Sequence, residues 1–578
     1  MAAALKHRGP DDVGDFYDLE NDLGLVHRRL SIIDLSDTGH QPMTTINGRY
    51  TIVFNGEIYN YRDLHLQLIS EGVVFNGHSD TEVLLRLFER EGVACASKLI
   101  GMYAFAVWDR EERSLYAVRG PFGIKPLYYW NHEGQFAFAS ELRALLASDL
   151  GPLTLSRPGL LSYLKNGSVQ DPDTLVDGVY SLPAGSWLRW KDGSVETSEF
   201  WKREFRSERV PDRTQCIQLT RDALLESVER HFVSDVPVGI FLSGGLDSTA
   251  LVALATKLGK KDIHTFCIAF DDAEYNEGEI ARRTAKHFGT VHHEWRLGAE
   301  EARSLLDEFL NSIDQPSIDG FNTYCVSRFA SRCGMKVVLS GLGGDELFGS
   351  YPSFQLIPRM MQWYQRLRFP LLRKLVGNAL RLTRPYSNFE RMGRFLLSEG
   401  KCDAAYEIVR SVYSDEDARK LSDMYLPRSV TNDEMHVCET AVDEPIPEVA
   451  ENISYLELNR YMLNQLLRDS DVMSMANGLE LRVPFLDVML FKTLAKVSPE
   501  IRFTPNKELL LRSVPEIPDW VSNQPKRGFT VPFVHWFGEE WKREFANCHE
   551  GRPTLGTKWY HDWSLFVLDQ YLVRNLFR

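Results

Sequence analysis

Long apolar runs are missing from this chain. None of its 578 residues lies in a stretch approaching the ~18 apolar residues of a membrane-spanning helix. No signal peptide is legible: Met1 to Leu5 are too few apolar residues before the polar Lys6-His7-Arg8. A soluble, cytoplasmic protein is expected. Cysteine is scarce and scattered, eight in all with no C-x-x-C pair. That suits a reducing cytosol and argues against a structural zinc. Positive charge is in deficit, with a formal net charge of −14. Such a balance argues against a general nucleic-acid coat and says nothing about fold. Internal repeats and low-complexity tracts are absent. The length implies about three to four domains, or two large ones.

What is present falls into two textures. Residues 1 to about 200 read as β-rich. Tyr50–Phe54, Met102–Trp108, Ser114–Arg119 and Gln135–Ala139 are strand candidates with turn residues between them. Tyr61–Glu71 and Asp80–Glu91 read as amphipathic helices, with Asp80 where an N-cap belongs. From about Pro211 strands and helices alternate. Leu219–Val233 is a helix, Val238–Leu242 a strand and Thr249–Ala255 a helix. Ile263–Phe270 and Val291–Trp295 are strands around the helix Ile280–Phe288, and Lys336–Ser340 is a further strand. Alternation of this kind implies a parallel, doubly wound sheet, whose ligands sit at the carboxyl ends of the strands. After Asp345 the chain turns mainly helical.

Two glycine-rich loops carry the chemistry. Ser243-Gly244-Gly245-Leu246-Asp247-Ser248 joins a strand to a helix N-terminus. Free backbone N–H groups and the helix dipole there favour an anion, and the glycines let a phosphate come close. The loop has no lysine, so it is not of the Walker type. Its aspartate makes sense at an anion site when a metal ion sits between carboxylate and phosphate. Ser340-Gly341-Leu342-Gly343-Gly344-Asp345-Glu346 repeats that logic. Together they suggest ATP with Mg²⁺ shared by Asp247 and Asp345. The bland alternative is two glycine turns with capping aspartates.

These loops, with Gly478-Leu479-Glu480-Leu481-Arg482-Val483-Pro484-Phe485-Leu486-Asp487 and Pro525-Lys526-Arg527-Gly528-Phe529, resemble the B-type, glutamine-dependent asparagine synthetase family. Arg8-Gly9-Pro10-Asp11, Arg29 to Asp34, Phe54 to Asn60, Ser79 to Glu82 and Phe122 to Tyr128 resemble its glutaminase domain. The resemblance implies an α+β N-terminal-nucleophile glutaminase-like domain at 1–205. An α/β ATP-pyrophosphatase domain with a doubly wound parallel sheet and a helical C-terminal part would follow at 206–578. It implies glutamine binding by Arg29, Leu30, Ser31, Ile32, Ile33, Asn55, Gly56, Glu57 and Asp80. Among these, Arg29 and Asp80 would hold the glutamine carboxylate and amine, Glu57 would help fix the amine, and Asn55 with the Gly56 N–H would form the oxyanion hole. ATP would be bound by Leu242, Ser243, Gly244, Gly245, Asp247, Ser248, Ile268, Ser340 and Gly341. Lys526 would balance charge on the phosphoryl transition state, in catalysis with Asp247 and Asp345. The implied reaction adenylates the side-chain carboxylate of aspartate and transfers ammonia, giving asparagine, AMP and pyrophosphate.

Three departures from the family pattern stand out. The family's nucleophile is a cysteine exposed at residue 1; here Met1-Ala2-Ala3-Ala4 stands in its place, and a start assigned too late is the favoured explanation. The chain as given is expected to use free ammonia. Cys95, the only cysteine before residue 205, reads as a buried small hydrophobe. Leu342 stands where some members carry glutamate, and Asp469 where members often carry lysine, so a different carboxylate acceptor, a sugar acid or a peptide, is kept as an alternative. His292 and His293 are adjacent on a strand, face opposite ways and do not make a metal pair. Between Gln355 and Arg394 lie nine basic residues and one acid, Glu390, interleaved with apolar ones. This segment is read as a solvated helix pair. Contact of this segment with an anionic membrane surface or with nucleic acid, or a non-catalytic relative acting through it, are the other readings. No nucleic-acid partner is expected; a homodimer is common in the family.

Overall fold

The computed structural model describes residues 1–148, 150–151, 154–205, 208–272, 275–426, 446, 448–524, 531–538, 541, 545 and 558–576. Its front half holds three antiparallel sheets. β1 (Asp12–Asp18) and β2 (Leu23–Arg29) form a hairpin. β3 (Met43–Thr44), β4 (Tyr50–Ile58), β5 (Gly101–Asp109) and β6 (Ser114–Arg119) belong to a second sheet, which reappears later in the chain. β7 (Tyr128–His132), β8 (Gln135–Ala139) and β9 (Val179–Ser181) form the third. With β10 (Ser186–Lys191) and β11 (Ser194–Glu199), the second sheet runs in the order β11-β10-β6-β5-β4-β3.

β5 is buried along nearly its whole length, as expected of an apolar run covered on both faces. One cover is the pair of helices Tyr61–Ser70 and Asp80–Glu91. The second starts where the sequence places it, but its N-cap is Ser79, whose hydroxyl accepts the Glu82 N–H. Asp80 is therefore the first helical residue, and its carboxylate is released for another use.

The rear half is built on a parallel sheet of β12 (Val238–Phe241), β13 (His264–Ala269), β14 (Val291–Arg296), β15 (Val337–Leu339) and β16 (Glu480–Arg482), in the order β14-β13-β12-β15-β16. Helices Leu246–Lys257, Gly278–Phe288 and Phe321–Arg332 are interleaved with these strands. β16 comes from far along the chain, and its Glu480 to Arg482 pair with Val337 to Leu339. No alternating pattern announces it, since a strand of three residues is too short to show a period.

The two halves share one apolar core. Tyr163, Leu164 and Val169 from the front belong to the same buried cluster as Leu251, Phe309 and Trp563. The seam is also charged. Arg8 pairs with Asp471 at 2.7 Å, and Lys125 pairs with Asp471 at 3.3 Å and Glu480 at 3.6 Å. Arg468 donates to the Val169 carbonyl at 2.7 Å and pairs with Asp171 at 3.1 Å. Among the described residues no helix is long and apolar enough to cross a membrane.

Candidate active site

The front site is a cavity of about 750 Å³. Arg29, Leu30, Ile32, Ile33, Asn55, Gly56, Glu57 and Asp80 all line it. Ser31 does not: its N–H donates to Asp11 at 2.8 Å. Arg29 ends β2, and its guanidinium donates to the carbonyls of Ile33 (3.1 Å), Asp34 (2.5 Å) and Ser36 (3.2 Å). Gly39 leaves room for it, because a Cβ there would lie 2.0 Å from the guanidinium. Asn55 and Gly56 lie on β4. Gly56 has φ +145°, and a Cβ on it would meet the Met102 carbonyl at 2.1 Å. Asn55 Nδ2 is buried without a hydrogen-bond partner. A buried, unused donor costs free energy unless something arrives to accept from it.

Two carboxylates face this space. Asp80 accepts the Ile58 N–H at 3.0 Å. Burial pushes its carboxyl up to about 7, against the opposing backbone N–H groups of Ile58 and Thr81. Glu57 is pushed well above the ordinary carboxylate range, first by burial and then by Glu480, with Arg482 opposing. Its Oε2 lies 3.5 Å from Arg482 and has no hydrogen bond. Buried acids short of cations make a site that an ammonium group would complete. No cysteine lines the cavity among the described residues. Cys95 is fully buried in the core between sheet and helices, and burial pushes its thiol up to about 12.

Arg482 links the two halves. Its side chain reaches Glu57 at 3.5 Å and Glu480 at 2.8 Å, and donates to the carbonyls of His231 (3.0 Å) and Val233 (2.6 Å). Its own carbonyl accepts the Ser340 N–H at 2.8 Å. Met475 and Glu480 of the rear half form part of the cavity wall.

The rear site lies at the carboxyl edge of the parallel sheet. Leu242 and Ile268 are buried there, and the Leu242 N–H donates to the Phe266 carbonyl at 2.9 Å. In the first loop, Ser243 N donates to Ser248 Oγ (3.1 Å), Gly245 N to Ser243 Oγ (3.1 Å) and Gly244 N to Glu277 (3.3 Å). Gly245 is the N-cap of the helix Leu246–Lys257. The second loop packs directly on the first. A Cβ on Gly341 would lie 2.9 Å from Ser248 N, and one on Gly344 would lie 2.3 Å from Asp247 Oδ1. Gly343 has φ +98°, a conformation that glycine takes without strain.

Asp247 and Asp345 converge on one cation, and it is a lysine that the sequence did not reveal. Lys507 Nζ donates to both Asp247 oxygens (2.7 and 2.5 Å) and lies 2.5 Å from Asp345 Oδ1. Asp345 also accepts from Ser350. Burial alone would lower the Lys507 ammonium; the two aspartates outweigh it and hold the group above the ordinary lysine value. Asn506 and Lys507 both have positive φ, 58° and 54°. Successive left-handed non-glycine residues are rare and costly, and here they aim the side chain inward. The only sequence signal is the turn-forming Pro505-Asn506. Two carboxylates within reach of one cation also fit Mg²⁺, which typically takes one or two carboxylates and completes its shell with phosphates and water. Among the described residues no group of three or more His, Cys, Asp or Glu could hold a metal without such help. Lys526 lies outside the described residues.

The two departures also have surroundings. Leu342 packs against the main core. Asp469 accepts from Ser317 at 2.6 Å, and burial, then Asp319, pushes its carboxyl well up. His293 stacks on His264 and Phe266, and His292 meets Thr265, as structural side chains.

A profile of the asparagine synthase family matches residues 219–554, and one of the glutamine amidotransferase domain matches residues 1–201. The chain is 34% identical over 564 residues to glutamine-hydrolysing asparagine synthetase 1 of Bacillus subtilis, covering 96% of this chain and 87% of that one. It is 34% identical over 579 residues to a putative glutamine-hydrolysing asparagine synthetase of Mycobacterium tuberculosis, covering 96% and 86%. It is also 29% identical over 593 residues to amidase chry2 of Gibberella zeae, covering 92% and 84%.

Proposed function

This chain belongs to the asparagine synthase family, and from that premise we propose that it is an ATP-dependent amide ligase that converts aspartate to asparagine. The observation that carries the proposal is the convergence of Asp247 and Asp345, from two touching glycine loops, on one cation at the carboxyl edge of a parallel sheet. We divide the chain into a glutaminase-like domain, 1–205, and a synthetase domain, 206–578.

ATP binds across the two loops, with the adenosine against Leu242, Ile268, Ser340 and Gly341. The helix N-terminus at Gly245 and the hydroxyls of Ser243 and Ser248 face the pyrophosphate. Asp247 and Asp345 hold Mg²⁺, which neutralises phosphate charge when bound. The aspartate side-chain carboxylate attacks the α-phosphorus, and pyrophosphate leaves. Lys507, and Lys526 by its sequence context, offset the negative charge that develops on the departing group. Ammonia then attacks the acyl carbon of the adenylate, loses a proton, and AMP leaves.

In the front cavity Asp80 and Glu57 receive the glutamine ammonium and Arg29 its carboxylate. Asn55 Nδ2 and the Gly56 N–H point at the amide oxygen. Ammonia, released from glutamine at that cavity or taken up free, is the nitrogen source proposed.

A second acceptor is the reading favoured by Leu342 and by Asp469, which presents Ser317 with a hydrogen-bonded carboxyl in place of a cation. Incubation with ATP, Mg²⁺, ammonium and a panel of carboxylates separates the two. Asparagine, AMP and pyrophosphate formed in equal amounts from aspartate support the proposal. Turnover only with a sugar acid or a peptide carboxylate supports the second reading. No AMP with any acceptor contradicts both.

A further inference from the structure

The helix Pro370–Arg381 does not behave like the cover of a core. Its one buried residue is Gly377. Leu371, Leu375 and Leu382 are 78%, 70% and 89% exposed, and Leu372 and Phe369 are exposed beside them. The spacing 371, 375, 382 puts these leucines on one helical stripe. Attachment to the neighbouring helix Asn388–Leu397 is through backbone instead. A Cβ on Gly393 would lie 2.7 Å from the Gly377 carbonyl, so the two helices touch glycine to glycine. An apolar stripe this exposed marks an interaction surface.

The surrounding charge is predominantly basic. Among the described residues Arg366, Arg368, Lys374 and Arg384 are exposed and have no carboxylate partner, whereas Arg381 reaches Glu416 only at 3.9 Å. These cations sit on a chain whose net charge is −14. We propose that the helix Pro370–Arg381, with the adjoining end of Ser353–Arg366, docks on an anionic lipid surface. The leucine stripe enters the headgroup–acyl boundary and the arginines and lysine meet lipid phosphates. That pairing of apolar and basic groups is what holds an interfacial helix. A second copy of the chain does not fit, because the same face would bring like charges together. A nucleic acid leaves the leucine stripe without a partner. The acidic remainder of the molecule is repelled from an anionic surface, which fixes the orientation. The surface is connected to the ATP site: the helix Ser353–Arg366 follows directly on the loop of Asp345 and Ser350, and Ser353 is tied to Glu457 at 2.5 Å.

The test is co-sedimentation of the full chain with phosphatidylcholine vesicles, with and without about one third phosphatidylglycerol, at about 0.1 M salt. The expected result is binding at least about tenfold tighter to the anionic vesicles, weakened by high salt. Leu375→Ser/Leu382→Ser and Lys374→Glu/Arg384→Glu should each lower that affinity about tenfold or more while ATP-dependent turnover stays unchanged. Equal binding to both vesicles, or variants that bind as the parent does, overturns the proposal. So does self-association in sedimentation analysis that the leucine variant abolishes without any vesicle binding. Binding to duplex DNA in preference to vesicles, or to an acidic protein partner with no vesicle binding, overturns it as well.

Discussion

Lys507 is held between two carboxylates at 2.5 to 2.7 Å, with 3% of its surface exposed. Substituting Lys507→Met leaves those carboxylates facing each other and removes a positive charge from the phosphate side of the site. ATP-dependent turnover is expected to fall about 10²–10³-fold, the range for losing one preorganised electrostatic partner. Steady-state kinetics, with circular dichroism to confirm folding, checks this. Asp80 gives a pH prediction. Its carboxyl is raised to about 7, so it must lose a proton to receive an ammonium group. Glutamine affinity should rise about tenfold from pH 6 to pH 8, since each pH unit below the pKa costs a factor approaching ten, and Asp80→Asn should flatten that dependence in titration calorimetry. The sign for stability is opposite: the folded chain binds this proton more readily than the unfolded one. Asp80 therefore destabilises progressively as pH climbs from about 4 to 7. Motif residues such as Asn55, Asp80, Asp247 and Asp345 were legible because short, dense motifs contain them. Lys507 was not, because its position depends on two left-handed residues that no periodicity signals.

The element that makes the rear site is the contact between two glycine loops. Each was legible as a strand end, a glycine turn and a carboxylate. Their mutual contact was not, since it arises from β12 and β15 being neighbours in the sheet. Gly344→Ala places a methyl 2.3 Å from Asp247 Oδ1, which forces the loops apart and pulls Asp247 from Lys507. A stability loss of about 1–3 kcal/mol is expected, as for other overpacked sites, with a raised KM for ATP. Denaturant titration and ATP kinetics read the two effects separately. The bounds of Tyr61–Ser70 and Asp80–Glu91 were legible to within a residue, whereas the helix read as Leu219–Val233 starts at Arg213, where Asp212 caps it; at Asp80 the cap had shifted to Ser79 because its hydroxyl reaches the Glu82 N–H. β16 was hidden in a motif. Glu480 and Arg482 carry the interdomain charges, and their strand identity appears only when β15 is beside them.

At the scale of the whole molecule, the two textures of the sequence correspond to antiparallel sheets in front and a parallel sheet behind. Their shared core was not legible beforehand, because contacts between distant segments leave no local pattern. That core predicts interdependence. Residues 206–578 expressed alone lose Tyr163, Leu164 and Val169 from the shared cluster, together with the partners of Asp471 and Arg468. The fragment should unfold at lower denaturant than the full chain, or aggregate; equal midpoints in a denaturant titration would show the halves to be independent. The central claim is that the Asp247 and Asp345 loops form an ATP site for adenylating a carboxylate. ATP–pyrophosphate exchange with aspartate tests it most directly. Aspartate-dependent exchange that Asp247→Asn abolishes while the fold persists is the result predicted. Absence of exchange with aspartate, or full exchange in the Asp247→Asn variant, would contradict it.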